Sequence, residues 1–286
     1  MPIKIKAPGA CGELAQGTID GVNFLITCPI DWYSEACVLS SAANIKPKTA
    51  AAIRATLKYL GVSQTINVKI NSTLPQGKGM ASSSADISAA CQAVALLAAQ
   101  KLLSPDEIAG IALSIEPTDA IFYPGIMMFD HLKGKIRRPL GNPPPMPIAV
   151  FDIAGCAVDT INFNARQDLA ALNRAKEKKT ALAAEMIIEG IAKQNPAYIG
   201  QGATLSALAN QDILFKPHLE KIIAIAAEHA AHGVCIAHSG TVFGVLLDAE
   251  KLDAQAELSK NICRLEENIK YLKTVNLIAG GLSQGD

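Results

Sequence analysis

One run rich in glycine and hydroxyl side chains, Leu74-Pro75-Gln76-Gly77-Lys78-Gly79-Met80-Ala81-Ser82-Ser83-Ser84-Ala85-Asp86, has the residue types that hold phosphate. Gly77 and Gly79 lack a Cβ, so the backbone there can take unusual angles and approach a ligand closely. The alanine-rich segment that follows, Ile87 to Leu103, is too long and apolar for a strand and predicts a helix over 83–102. The first turn of such a helix offers unpaired N–H groups and a positive dipole end, a seat for an anion. Ser82, Ser83 and Ser84 supply a helix cap and hydroxyl ligands where a phosphate and its magnesium would sit. The spacing matches neither the Walker loop nor the dinucleotide Gly-x-Gly-x-x-Gly pattern. Two carboxylates, Glu116 and Asp119, follow in Ser114-Ile115-Glu116-Pro117-Thr118-Asp119. They fit a helix stop and a turn, yet an acid at a helix C-terminus opposes the dipole, so stability alone places Glu116 poorly.

The elements needed to position these groups form an α+β pattern. Alternation and turn residues predict strands near 3–6, 22–28, 34–41, 66–70 and 126–131, with helices at 47–60, 83–102 and 105–115. The cluster Pro143-Pro144-Pro145-Met146-Pro147 cannot be helical and leads into a strand at 148–153. Beyond it, helices near 166–193, 197–210 and 217–231 precede strands at 233–238 and 242–247, a helix near 250–260 and a strand near 275–279. The expected division is 1–142 and 143–286.

Composition narrows the function classes. The chain has 286 residues, enough for one large or two small domains, and a formal net charge of zero with scattered lysines and arginines. That leaves no footprint for nucleic acid or an acidic membrane. No apolar run is long and uninterrupted enough to span a bilayer, and the start carries no apolar signal core. Seven cysteines, Cys11, Cys28, Cys37, Cys91, Cys156, Cys235 and Cys263, form no Cys-x-x-Cys pair and read as reduced thiols of a cytoplasmic protein. Cys11 reads as a small residue packed under a loop. The histidines show no metal spacing beyond His229 and His232, placed on one helix.

The glycine-serine run resembles, almost position for position, the Pro-x-Gly-x-Gly-Leu-Gly-Ser-Ser-Ala signature of the GHMP kinases, the superfamily of galactokinase, homoserine kinase and mevalonate kinase. Met80 stands for the leucine and Ala81 for the third glycine, an exchange that requires Ala81 to keep a negative φ. Ala7-Pro8-Gly9-Ala10-Cys11-Gly12-Glu13 resembles the family's first motif, and Gly233-Val234-Cys235-Ile236-Ala237-His238-Ser239-Gly240-Thr241-Val242-Phe243-Gly244-Val245 its third. Within the superfamily, Cys11-Gly12-Glu13-Leu14-Ala15-Gln16-Gly17, Cys28-Pro29-Ile30-Asp31-Trp32-Tyr33, Glu116-Pro117-Thr118-Asp119 and Phe129-Asp130-His131 are similar to runs in the L-threonine kinases of cobalamin synthesis and propanediol utilisation.

The resemblance implies the GHMP fold: an N-terminal ribosomal-protein-S5-like lobe, a ferredoxin-like C-terminal lobe, and the active site between them. It implies ATP-dependent phosphorylation of the L-threonine hydroxyl to O-phospho-L-threonine for adenosylcobalamin synthesis, with ATP and Mg2+ as cofactors. By residue, Pro75, Gln76, Gly77, Lys78, Gly79, Met80, Ala81, Ser82, Ser83 and Ser84 would hold the nucleotide, Ser83 and Glu116 the magnesium, and Asp119 would be catalytic. Where many members carry a lysine in the first motif this chain has Ala10; Lys78 either offsets transition-state charge or is a solvated loop lysine. For an amino-acid acceptor, Glu13, Asp31 and Asp130 are candidate ammonium partners, Ser239, Gly240 and Thr241 candidate carboxylate donors, and Trp32 and Tyr33 candidate walls. Of the histidines, only His238 is linked to the site. The acceptor is a small molecule, with neither nucleic acid nor membrane as partner; the oligomeric state stays open, a homodimer being one option. The alternatives are another GHMP kinase, acting on homoserine or an isoprenoid alcohol, and a non-catalytic nucleotide-binding sensor of the same fold.

Overall fold

The computed structural model describes residues 3–39, 44–154 and 166–285. Cys156 and the end of the strand expected at 34–41 lie outside the described residues. The first half is organised by two long antiparallel strands, β1 (Lys4–Ile19) and β2 (Val22–Leu39), where the sequence reading expects three short ones. Their turn is Asp20-Gly21, both with positive φ (51° and 72°), the geometry that suits a two-residue hairpin. The Pro-Gly run of the first motif stays within the ladder because register shifts at Pro8/Gly9, Ala10/Glu13 and Glu13/Ala15 absorb its irregular backbone. Strands β3 (Asn67–Ser72) and β4 (Ile126–Phe129) pair with β2, and β5 (Arg137–Gly141) pairs with β4.

Helices α1 (Pro47–Leu60), α2 (Ser82–Ala99) and α3 (Pro105–Leu113) pack on this sheet. Small residues let α2 be buried on every side over its first turns, against α1 and the β1–β2 pair. A Ser104–Glu107 capping box and Pro105 at the first position start α3.

The second half runs β6 (Pro147–Ile153), α4 (Leu169–Ala192), α5 (Pro196–Ala209), α6 (Leu219–Glu228), β7 (Gly233–Ile236), β8 (Val242–Leu246), a 3-10 turn (Leu252–Ala254), α7 (Gln255–Cys263) and β9 (Ile269–Asn276). Its strands lie in the order β7-β8-β6-β9, all antiparallel, which is the split β-α-β order of a ferredoxin-like lobe. A short β10 (Ser283–Gln284) returns to β1. The halves meet edge to edge where Glu13 lies opposite Ile236, giving a continuous ten-stranded sheet, and β10 and the bridges Ile30–Leu277 and Gly125–Gly280 tie them further. The chain leaves β5 at Gly141 and enters β6 at Pro147, which supports a proposed division at 142/143.

Strand β9 begins six residues before its expected position, because its exposed Lys270 and Tyr271 hide the alternation that β6 pairing reveals. Strand β5 carries Arg137 and Arg138 on an exposed edge, and nothing in its local pattern predicts it. His229 and His232 are not on one helix: α6 ends at Glu228. Each described cysteine is a free thiol, and Cys11 is fully buried as a packing residue. No helix among the described residues is long and apolar enough to cross a membrane.

Candidate active site

The three glycine-bearing motifs meet through their backbones. Ala10 and Gly12 on β1 donate N–H groups to the carbonyls of Met80 and Gly79 at 3.1 and 3.0 Å. Thr241 and Val242, at the start of β8, both donate to the carbonyl of Lys78 at 3.0 Å. This approach needs glycine. A Cβ on Gly79, whose φ is +85°, would stand 2.2 Å from the Ala237 methyl, and one on Gly240 would stand 2.2 Å from the Lys78 carbonyl oxygen. The loop is thereby clamped between the two halves of the molecule through its carbonyls.

Two expectations about the loop change here. Ala81 has φ 52° and ψ 24°, the left-handed region, where a negative φ was expected; for a residue with a Cβ that costs about 1 kcal/mol. Ala81 is also the N-cap of α2, and no side chain caps that helix. The serines expected as caps reach across the chain instead. Ser83 Oγ donates to Glu116 Oε1, while Ser84 Oγ accepts from the Asp119 N–H at 3.1 Å and lies 3.4 Å from its carboxylate. With no side-chain cap, the first-turn N–H groups of α2 remain available to an anion.

The cleft beside this turn holds about 260 Å3. Gly77, Gly79 and residues 80–84 line one side, Glu116 to Asp119 another, and Glu13, His131 and Ser239 the floor and far wall. Pro75, Gln76 and Lys78 stand outside the lining. Burial pushes the Asp119 carboxyl up to about 7, and the charges of Glu13 and Glu116 push the same way. Burial also raises Glu13 to about 7, partly offset by the His238 N–H and by the Lys216 ammonium. His238 donates its backbone N–H to Glu13 Oε2 at 2.9 Å and holds Nδ1 3.0 Å from the same oxygen.

The other oxygen of Glu116 forms an ion pair with Lys48, near the start of α1. Lys48 is the one basic side chain among the described residues lining this cleft, and sequence reasoning missed it. In the sequence it is an ordinary polar position in the first turn of a helix; only folding carries it the 68 positions to Glu116. Ser83 and Glu116 present hard oxygen donors, the set that suits magnesium when substrate phosphates supply further ligands. Among the described residues there is no cluster of three or more His, Cys, Asp or Glu side chains arranged for a metal held by protein alone.

Several expected substrate contacts lie elsewhere. Asp31 is taken by Asn276, whose backbone and side-chain nitrogens each donate to it at 2.7 Å. Asp130 folds its own turn, accepting the N–H groups of Leu132, Lys133 and Lys135. The Thr241 hydroxyl donates to Asp152 at 2.5 Å, and its N–H serves the Lys78 carbonyl; Gly240 packs against the same loop and accepts the Lys216 ammonium. None of these four residues lines the cleft; Glu13 and Ser239 do. Lys78, half-buried, pairs with Asp152 at 2.9 Å and does not line the cleft. Trp32 is held away from the cleft by Thr73, at 2.8 Å, and by the Lys273 ammonium stacked 4.5 Å above its ring, and Tyr33 is exposed.

A second cavity, also of about 260 Å3, shares Gln16 and His131 as walls with the first and is lined further by Lys176, Asn210 and His238. Of these only His238 is linked to the site by sequence alone.

Comparison with known proteins bears on this geometry. The family model described as GHMP kinases N terminal domain matches residues 47–124, and GHMP kinases C terminal matches residues 187–264. The chain is 33% identical over 261 residues to an L-threonine kinase of Citrobacter freundii, covering 87% of each chain. It is 33% identical over 256 residues to an L-threonine kinase of Salmonella typhimurium, covering 87% of this chain and 84% of the other. Among solved structures, a homoserine kinase from Cytophaga hutchinsonii superposes with a TM-score of 0.72 at 16% identity, covering 99% of this chain and 97% of that one. A Methanococcus jannaschii mevalonate kinase superposes at 0.68 with 18% identity, covering 100% and 99%. At these identities the structural matches speak to the fold.

Proposed function

The chain belongs to the GHMP kinases, enzymes that phosphorylate an alcohol with ATP, and we propose that its acceptor is L-threonine, giving O-phospho-L-threonine for adenosylcobalamin synthesis. The observation that carries the reading is the meeting of Ser83, Glu116 and Asp119 over the open N-terminus of α2, in a chain whose relatives at 33% identity are L-threonine kinases.

In this proposal the glycine loop and the first-turn N–H groups of α2 hold the nucleotide phosphates. Ser83 and Glu116 would hold the magnesium ion, which when bound neutralises charge building up on the transferred group. Asp119 accepts the proton of the threonine hydroxyl as its oxygen bonds to the γ-phosphorus and the bond to ADP breaks; the proton then leaves to solvent. A carboxyl raised to about 7 suits that task, since it is ionised at working pH yet basic enough to take the proton. Glu13, at the floor of the same cleft, faces the acceptor ammonium.

The test is ADP release with magnesium-ATP against L-threonine, L-serine, L-homoserine and mevalonate, with the product identified by mass. Turnover of L-threonine to O-phosphothreonine is the expected result. Turnover of mevalonate or homoserine in its place would replace the acceptor and keep the chemistry, whereas nucleotide binding without turnover on any alcohol would overturn the proposal in favour of a sensor.

A further inference from the structure

The second cavity contains a buried cation with too few partners. Lys176, on α4, is 7% exposed and donates one of its three N–H groups to Asn210 Oδ1 at 2.9 Å. Asn210 is 1% exposed, and its Nδ2 has no hydrogen-bond partner. His131, 8% exposed and shared by both cavities, has Nδ1 likewise unpartnered. Buried polar groups in folded proteins are nearly always paired; Lys176, Asn210 and His131 all line this cavity, and an ammonium with one acceptor for three N–H groups marks a place where a further acceptor would sit. The carboxylates nearby are already engaged: Glu177 with the Thr18 hydroxyl at 3.0 Å, and Glu13 Oε2 with His238. Burial lowers the Lys176 ammonium to about 8, and the negative charge of Glu13 opposes that shift, which places the two within each other's field. Glu13 in turn acts on Asp119. Gln16 and His131 line both cavities, so the one holding Asp119 and Glu13 adjoins the one holding Lys176.

We infer that Lys176 and Asn210 form the seat of the acceptor carboxylate, so that with Glu13 on the ammonium and Asp119 on the hydroxyl this enzyme selects a zwitterionic hydroxy-amino acid. The inference rests on the kinase reading above and adds which residues choose the substrate. A carboxylate supplies the two oxygens that Asn210 Nδ2 and the remaining Lys176 donors lack. An isoprenoid alcohol has no ammonium and would leave Glu13 buried without its counter-ion.

The test uses the whole chain with magnesium-ATP and compares L-threonine with L-threoninamide, which keeps the hydroxyl and ammonium but loses the carboxylate. The wild-type protein is expected to favour L-threonine by about 30-fold or more in KM, and Lys176→Met to raise the KM for L-threonine by about as much, with kcat and the KM for ATP changed little. Asn210→Asp, which puts a carboxylate in the seat itself, is expected to produce the same loss. L-Threonine should raise the melting temperature of the wild type and of neither variant. Equal KM values for acid and amide in the wild type, or variants that keep the wild-type KM and preference, would overturn the carboxylate seat while leaving the kinase intact. A wild type that phosphorylates no hydroxy-amino acid would overturn both.

Discussion

Glu13 is the residue at which function and stability should part most visibly. Its carboxylate is 7% exposed, and burial raises it from 4.5 to about 7. The native state therefore binds this proton more tightly than the unfolded chain does. Below about pH 4.5 the group is neutral in both states and costs nothing; the cost grows as pH rises to 7 and is constant above. At about 1.4 kcal/mol per tenfold difference in proton affinity, it reaches about 3 kcal/mol at pH 8. Glu13→Gln keeps the shape, and its carbonyl can still accept the His238 N–H that Glu13 Oε2 accepts at 2.9 Å. The variant should match the wild type at pH 4 and exceed it by up to about 3 kcal/mol at pH 8, roughly 6 °C in Tm for a chain of this size. Urea and thermal unfolding of ligand-free protein at the two pH values measure this. An equal gain at both, or a loss at pH 8, would refute the reasoning. The same variant should bind L-threonine about tenfold more weakly or worse, since a neutral amide cannot pair with an ammonium.

Asp119→Asn should lower kcat by about a hundredfold or more, as expected for loss of a positioned proton acceptor, while by the argument made for Glu13 the variant should be no less stable than the wild type at pH 4 and more stable at pH 8. In the wild type kcat/KM should fall as pH drops through about 7, because burial and the charges of Glu13 and Glu116 hold Asp119 protonated below that point; in Glu13→Gln the fall should move to lower pH. Lys48→Ala frees one oxygen of Glu116, so half-maximal rate should need less magnesium, while ATP without magnesium should bind more weakly in calorimetry. Gly79→Ala must place a methyl 2.2 Å from the Ala237 methyl at φ +85°, and should cost about 2 kcal/mol or more in denaturant unfolding together with most of the activity.

Much of the candidate site is legible in the chain because its chemistry is local. Gly77, Gly79 and the serines fall within eight positions of one another, and a glycine loop running into a helix presents N–H groups whatever packs around it. Glu116 betrays itself by following a helix end, where the helix dipole disfavours an acid, whereas Asp119 fits a turn and is marked by the resemblance. The misplaced residues share a different cause. Asp31, Asp130 and Thr241 are as polar as true ligands, but distant partners, Asn276 and Asp152, claim the first and last, and Asp130 spends its carboxylate on its own 132–135 turn. Ala81 in the left-handed region is likewise invisible locally: nothing in an alanine asks for positive φ, and the clamp on Lys78, Gly79 and Met80 imposes it.

What the sequence by itself determined is the set of parts: a phosphate loop, an anion-ready helix, two carboxylates beyond the next helix, and a β-α-β-β-α-β second half. Short-range periodicity, glycine freedom and helix electrostatics act over a few residues, so they can be read without a fold. What only the tertiary structure decided is which side chains share a cavity. Lys48 reaches Glu116, His238 reaches Glu13, and Lys176 meets Asn210 across 68, 225 and 34 positions. The Glu13–His238 meeting crosses the seam where Glu13 pairs with Ile236, the other two are made within one half each, and burial raises Asp119 and Glu13 and lowers Lys176. Desolvation belongs to a packed interior, and no stretch of sequence contains it.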